Sequence, residues 1–170
     1  MSAGSRLRAQ HDAGCEAPGA DSGDDRALRA TCVHEFAHLA VARHFGACGF
    51  VTVQRLHVAG TPRATWQGRF QLFGELDDDA WRIVAIAGTL AEQLLAGREA
   101  EATSLHRLLR MPGALSYCDR ALARGFDRDH VASCVDALRD AWRTIVGDAS
   151  ERAEDIGSRL VSMRGRALPR

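Results

Sequence analysis

The sequence predicts an α+β fold, mostly helical, with a small β-hairpin or three-stranded sheet and a C-terminal helical bundle. Three observations carry that expectation. An apolar stripe runs at helical spacing through Leu28, Val33, Phe36, Ala37, Ala40 and Val41. Two segments rich in alternating and β-branched residues follow, separated by a turn signal. From Asp77 onward the chain reads as helices divided by glycine and proline.

The elements follow in order. Residues 1–24 are rich in Gly, Ala, Ser and Asp without periodicity, so a disordered leader is expected there and one folded domain over 25–165. Asp24 or Asp25 can accept the free N–H groups of a first turn, opening a helix over about 26–45 that stops at Gly46. Residues 49–58 read as a strand. Gly60-Thr61-Pro62 marks a turn, and residues 64–72 read as the hairpin partner. Gly68 within that strand signals a bulge or a close backbone approach. Asp77-Asp78-Asp79 forms an acidic cap for a strongly apolar helix over 80–96, closed by Gly97. Residues 98–112 read as helical up to Pro112-Gly113, and a short helix over 114–124 ends at Gly125. Asp127 caps a long helical region over 128–163, with Gly147 the place where it could be interrupted.

Composition excludes several functions. The chain has 170 residues, enough for one domain. Its 22 basic residues, all Arg, balance 22 Asp and Glu, so charge provides no reason to expect nucleic acid or an anionic membrane as partner. No 18-residue apolar run is present, so no membrane span is expected. The N-terminus lacks the apolar stretch of a secretory signal. Five Cys, an odd number without CxxC spacing, argue against a disulfide framework and for a reducing, cytoplasmic location.

The chemistry lies in His34-Glu35-Phe36-Ala37-His38, an H-E-x-x-H inside a segment already expected to be helical. Residues four apart on a helix are about 400° apart in rotation, so His34 and His38 share a face. Two imidazoles so placed can bind one Zn²⁺, and the intervening Glu35 can reach water at the metal as a general base. A third protein ligand must come from elsewhere. His44 lies on a different helical face, and His57, His106 and His130 fall in later segments. Glu92 is an unusual carboxylate in an apolar helix, expected to face a cation or a donor, and Asp119 sits on the short helix after Pro112-Gly113. By spacing alone Glu92 and Asp119 are comparable candidates. Cys32 and Cys118 stand close by, but Cys is more often a small buried hydrophobe. The strand over 49–58, with Val51 and Val53, is a candidate edge for an extended polypeptide substrate.

The order of these pieces resembles the zinc peptidase domain of the FtsH-type ATP-dependent proteases and their stand-alone bacterial relatives. The matching pieces are His34-Glu35-Phe36-Ala37-His38, then Phe50-Val51-Thr52-Val53, then 87–97 with Glu92, then Cys118-Asp119-Arg120-Ala121-Leu122-Ala123. The resemblance covers about residues 28–160 and implies a zincin-like metallopeptidase domain. It makes Asp119 the third ligand beside His34 and His38, and Glu92 either a carboxylate behind a ligating His or an alternative ligand. The sequence departs from the family where Phe36 and Ala37 replace a smaller pair, and where Ser116 is separated from Asp119 by Tyr117 and Cys118. No ATPase segment is recognised, so only peptide-bond hydrolysis is implied; oligomerisation and an external ATPase are left open. Two other functions fit the same residues. One is a regulatory protease of narrow specificity, and the other an inactive metallopeptidase-like fold that serves as a binding or scaffold module.

Overall fold

A computed structural model describes residues 23–57, 64–98 and 101–165. The expected leader, all but its last two residues, and the Gly60-Thr61-Pro62 turn lie outside the described residues. The architecture is α+β and mostly helical. Helix α1 spans Gly23–His44, strand β1 Cys48–His57, strand β2 Ala64–Phe73, α2 Asp78–Leu95, α3 Ala102–Leu109, α4 Tyr117–Leu122 and α5 Arg128–Gly165.

Helix α1 is the central element, packed against α2, α5 and both strands. It begins at Gly23, ahead of the expected start, so Asp24 and Asp25 lie in its first turn, where carboxylates suit the positive end of the helix dipole. Asp24 also ties the helix to the hairpin: its carboxylate accepts from Trp66 Nε1 at 2.9 Å and pairs with Arg55 at 3.0 Å. Asp77 caps α2, its side chain accepting from the Ala80 N–H at 2.7 Å. Gly147 does not break α5, which continues through it for 38 residues because Ile145 and Ala149 on either side are buried.

The core is apolar and built mainly from three helices. Val33, Ala37 and Val41 of α1 meet Ile83, Val84, Ile86, Ala87 and Leu90 of α2 and Val131, Leu138 and Ile145 of α5. Helix α2 is buried continuously from Ile83 to Ala91. A side chain placed on that stretch is therefore held on all sides, which matters for the site below.

Of the two sheet forms expected, the described residues hold the simpler one, a two-stranded antiparallel hairpin. Its register is unbroken, from Cys48 opposite Phe73 to His57 opposite Ala64. Alternation sends Val51, Val53 and Arg55 of β1, with Trp66, Gly68 and Phe70 of β2, toward α1. Phe50, Thr52, Gln54 and Leu56 face outward and are exposed. No helix among the described residues is long and apolar enough to cross a membrane.

Candidate metal centre

Three elements, α2, α4 and β2, converge on one turn of α1. His34 and His38 lie one turn apart, and their Nε2 atoms stand 3.1 Å from each other. Two nitrogen lone pairs cannot approach so closely without a proton or a cation between them. From α4, Asp119 brings Oδ2 to 3.7 Å from His34 Nε2 and Oδ1 to 3.7 Å from His38 Nε2. Donors bound at about 2.0–2.1 Å to one tetrahedral ion stand about 3.4 Å apart. The observed spacings bracket that value, so His34, His38 and Asp119 form a group that could hold a divalent metal ion.

The remaining ring nitrogens are occupied in a way that leaves both Nε2 atoms facing the centre. His38 Nδ1 donates to the Val84 carbonyl of α2 at 2.7 Å. His34 Nδ1 donates to Glu92 Oε1 at 2.8 Å. Such partners orient a ligating imidazole and set its tautomer. Glu92 therefore meets the far side of the His34 ring, while Asp119 meets the near side of both rings.

Electrostatics separate the two histidines. Burial, reinforced by the neighbouring His34 charge, lowers the His38 pKa to about 4 and keeps its ring neutral. At His34 burial acts in the same direction, but the Asp119 and Glu92 carboxylates outweigh it and raise the pKa to about 10. Asp119 is buried, which opposes its charge, yet the His34 and His38 rings and the Ser116 hydroxyl hold its carboxyl below the usual range.

Glu35 leaves α1 on a neighbouring face, toward β2. It is only 8% exposed. Burial is the main cause that lifts its pKa to about 7, partly offset by His34 and by the nearby Phe70 backbone N–H. Phe70 also stacks on His38, with ring centroids 4.5 Å apart.

Two glycines make this packing fit. A Cβ at Gly88 of α2 would lie 2.5 Å from both His34 Nε2 and His38 Nε2. A Cβ at Gly68 of β2 would lie 2.2 Å from Glu35 Cγ. Gly68 therefore marks a close backbone approach, within a register that remains unbroken. The residue spacing near Asp119 also has a local cause. Ser116 is the N-cap of α4; its Oγ accepts from the Asp119 N–H at 3.1 Å and donates to Asp119 Oδ2 at 2.6 Å. The intervening Tyr117 and Cys118 are what that cap requires, since a capping side chain reaches the third helical residue.

Other sequence candidates lie elsewhere. Val51 is buried and Val53 half-buried beneath the hairpin, one strand removed from Glu35, and the strand against the site is β2. Cys32 is buried in the core and Cys118 is exposed, both as free thiols. His130 binds Asp127 and Asp79 at the α2–α5 junction. Gly88, the Val84 carbonyl and Phe70 were not legible as site residues. A glycine in the middle of the apolar run 86–91 was the one available signal, because glycine there weakens a helix unless packing requires it.

No family model matches this chain, and no curated protein matches it either.

Proposed function

We propose that this chain is a zinc-dependent peptidase acting on polypeptide substrates, with His34, His38 and Asp119 as ligands and Glu35 as general base. The observation that carries the reading is the convergence of the three donors on one point, with a buried carboxylate beside it. The resemblance of the motif order to FtsH-type peptidase domains supports it. The donor set fits zinc in kind and number: two imidazoles and one carboxylate, as in hydrolytic sites that keep a fourth position open. When bound, zinc supplies Lewis-acid polarisation of a carbonyl and lowers the pKa of water.

The chain's own groups do the rest. Glu92 and the Val84 carbonyl hold the two rings in orientation. Ser116 fixes the Asp119 carboxylate by a direct hydrogen bond. Glu35 accepts a proton from water at its carboxylate and returns it to the leaving amine. A carboxyl poised near neutrality suits both halves of that transfer. Phe70, stacked on His38, and Gly68, against Glu35, bring β2 alongside the site, so an extended substrate meets β2 before β1.

The test is metal content together with hydrolysis of casein or a quenched peptide, for the wild type and Glu35→Gln. The expected result is one zinc per chain in both proteins, and hydrolysis in the wild type alone. A zinc-loaded but inert wild type would replace the peptidase with a binding module. A chain that binds no divalent metal would end both readings.

A further inference from the structure

The outer edge of β1 is unpartnered among the described residues, where β1 packs only on β2 and α1. The phase of the ladder fixes which groups that edge presents. The Thr52 hydroxyl lies 3.4 Å from the carbonyl of Arg69 opposite it, and the Cys48 thiol 3.6 Å from that of Phe73, so these carbonyls face β1 within the ladder and the alternate residue Phe70 turns its N–H and C=O out of it. In an antiparallel pair, a residue whose polar groups turn away from its partner strand faces one that does the same. Val51 is opposite Phe70. Val51, and with it Val53 and Arg55, therefore turn their N–H and C=O groups to the outer edge.

Natural sheets protect such edges with proline, bulges, repeated charge or short length. Strand β1 has ten residues in unbroken register, no proline, and one Arg and no acidic residue, and Asp24 already pairs with that Arg55. Its exposed face reads Phe50, Thr52, Gln54, Leu56: apolar, polar, polar, apolar, with Phe50 43% and Leu56 38% exposed. That pattern is its own reverse.

We propose that a second copy of this chain covers the edge, with the two β1 strands antiparallel about a two-fold axis at Val53. This register sets Phe50 opposite the second copy's Leu56 and Thr52 opposite its Gln54, twice each. It makes Val53 against Val53 a hydrogen-bonded pair, as the outward phase requires. Arg55 meets Val51, so no like charges face each other. A foreign strand would satisfy the backbone equally well, but only a second copy uses the palindromic face. The product is a four-stranded sheet in which both β2 strands remain outermost, beside their own sites. The inference does not depend on what those sites do.

Sedimentation velocity from about 1 to 100 µM tests it. The wild type is expected to form a concentration-dependent dimer. Phe50→Glu and Leu56→Arg, each alone, should weaken the dimer at least about tenfold, and the double variant should restore it, because the register sets the new charges opposite each other. Val53→Pro removes only an outward N–H and spares the hairpin ladder, so a monomer with an unchanged circular dichroism spectrum is expected. If that variant misfolds, the charge pair still decides, since both of its positions lie on the exposed face. A wild type that stays monomeric throughout overturns the proposal, as does a dimer that the single changes leave intact or the double change fails to restore.

Discussion

Replacing Gly88 with alanine adds one methyl group between the two imidazoles of the candidate metal centre. The ideal Cβ position is 2.5 Å from His34 Nε2 and 2.5 Å from His38 Nε2, whereas ordinary contact begins at 3.4 Å. Something must move by roughly 0.9 Å, and a methyl forced into a packed interior costs about 1–3 kcal/mol. Helix propensity acts the other way, since Gly→Ala in a helix interior gains about 1 kcal/mol. Both rings are also tied at Nδ1, to Val84 and Glu92, so they cannot swing aside without losing those bonds. Gly88→Ala is therefore expected to destabilise the chain by up to about 2 kcal/mol and to weaken zinc binding about 10–100-fold. Gly147→Ala is the matched control. A Cβ there meets nothing within 4 Å, so the same substitution in α5 should stabilise by about 0.5–1 kcal/mol. Urea denaturation measures the stabilities and competition with a chelating dye the zinc affinity. If Gly88→Ala is stabilised like Gly147→Ala and keeps wild-type zinc affinity, the geometry argued for the centre is wrong.

Three further predictions follow from the same contacts. Burial lifts the Glu35 carboxyl from 4.5 to about 7 in the metal-free chain, so between those values the folded state holds a proton that the unfolded chain has released. Stability therefore falls as pH rises from about 4.5 to 7, by on the order of 3 kcal/mol in total, and Glu35→Gln should flatten that fall in urea titrations at pH 5 and pH 8; parallel curves for the two proteins would contradict it. Asp119→Asn should weaken zinc binding more than Glu92→Gln, because the first alters a ligand and the second its neighbour's orientation, for which about 10–100-fold is typical; chelator competition ranks them. Ser116→Ala removes the α4 cap and the bond to Asp119 Oδ2, at a cost of about 1 kcal/mol, read as a melting point lower by about 2–4 °C.

How far the sequence could be read depended on whether a signal was local. The helix that carries the candidate site was legible because two histidines at i and i+4 share a face whatever surrounds them. The hairpin was legible from its alternation, and the caps at Asp77 and Asp127 from carboxylates that serve their own first turns. Helix starts were less so. Asp24, expected as a cap, lies within α1 and is used by Trp66 and Arg55 from 31 and more residues away, and α4 starts later than the apolar pattern placed it because Ser116 caps it.

The sequence alone determined that His34, Glu35 and His38 lie on one helix and that the chain builds a mostly helical α+β body. By spacing it left Asp119 and Glu92 as equals, since spacing cannot measure the distance between two helices, and only the resemblance of the motif order favoured Asp119. The tertiary structure separates them by distance, setting Asp119 against both Nε2 atoms and Glu92 behind the His34 ring. Only it assigned Gly88 and Gly68 their reason, because a missing side chain acquires meaning when another element fills its space. The physical difference is one of range: periodicity and capping act within a turn or two, whereas a coordination sphere is closed by groups far apart in the chain, brought together by the burial of α2 against α1.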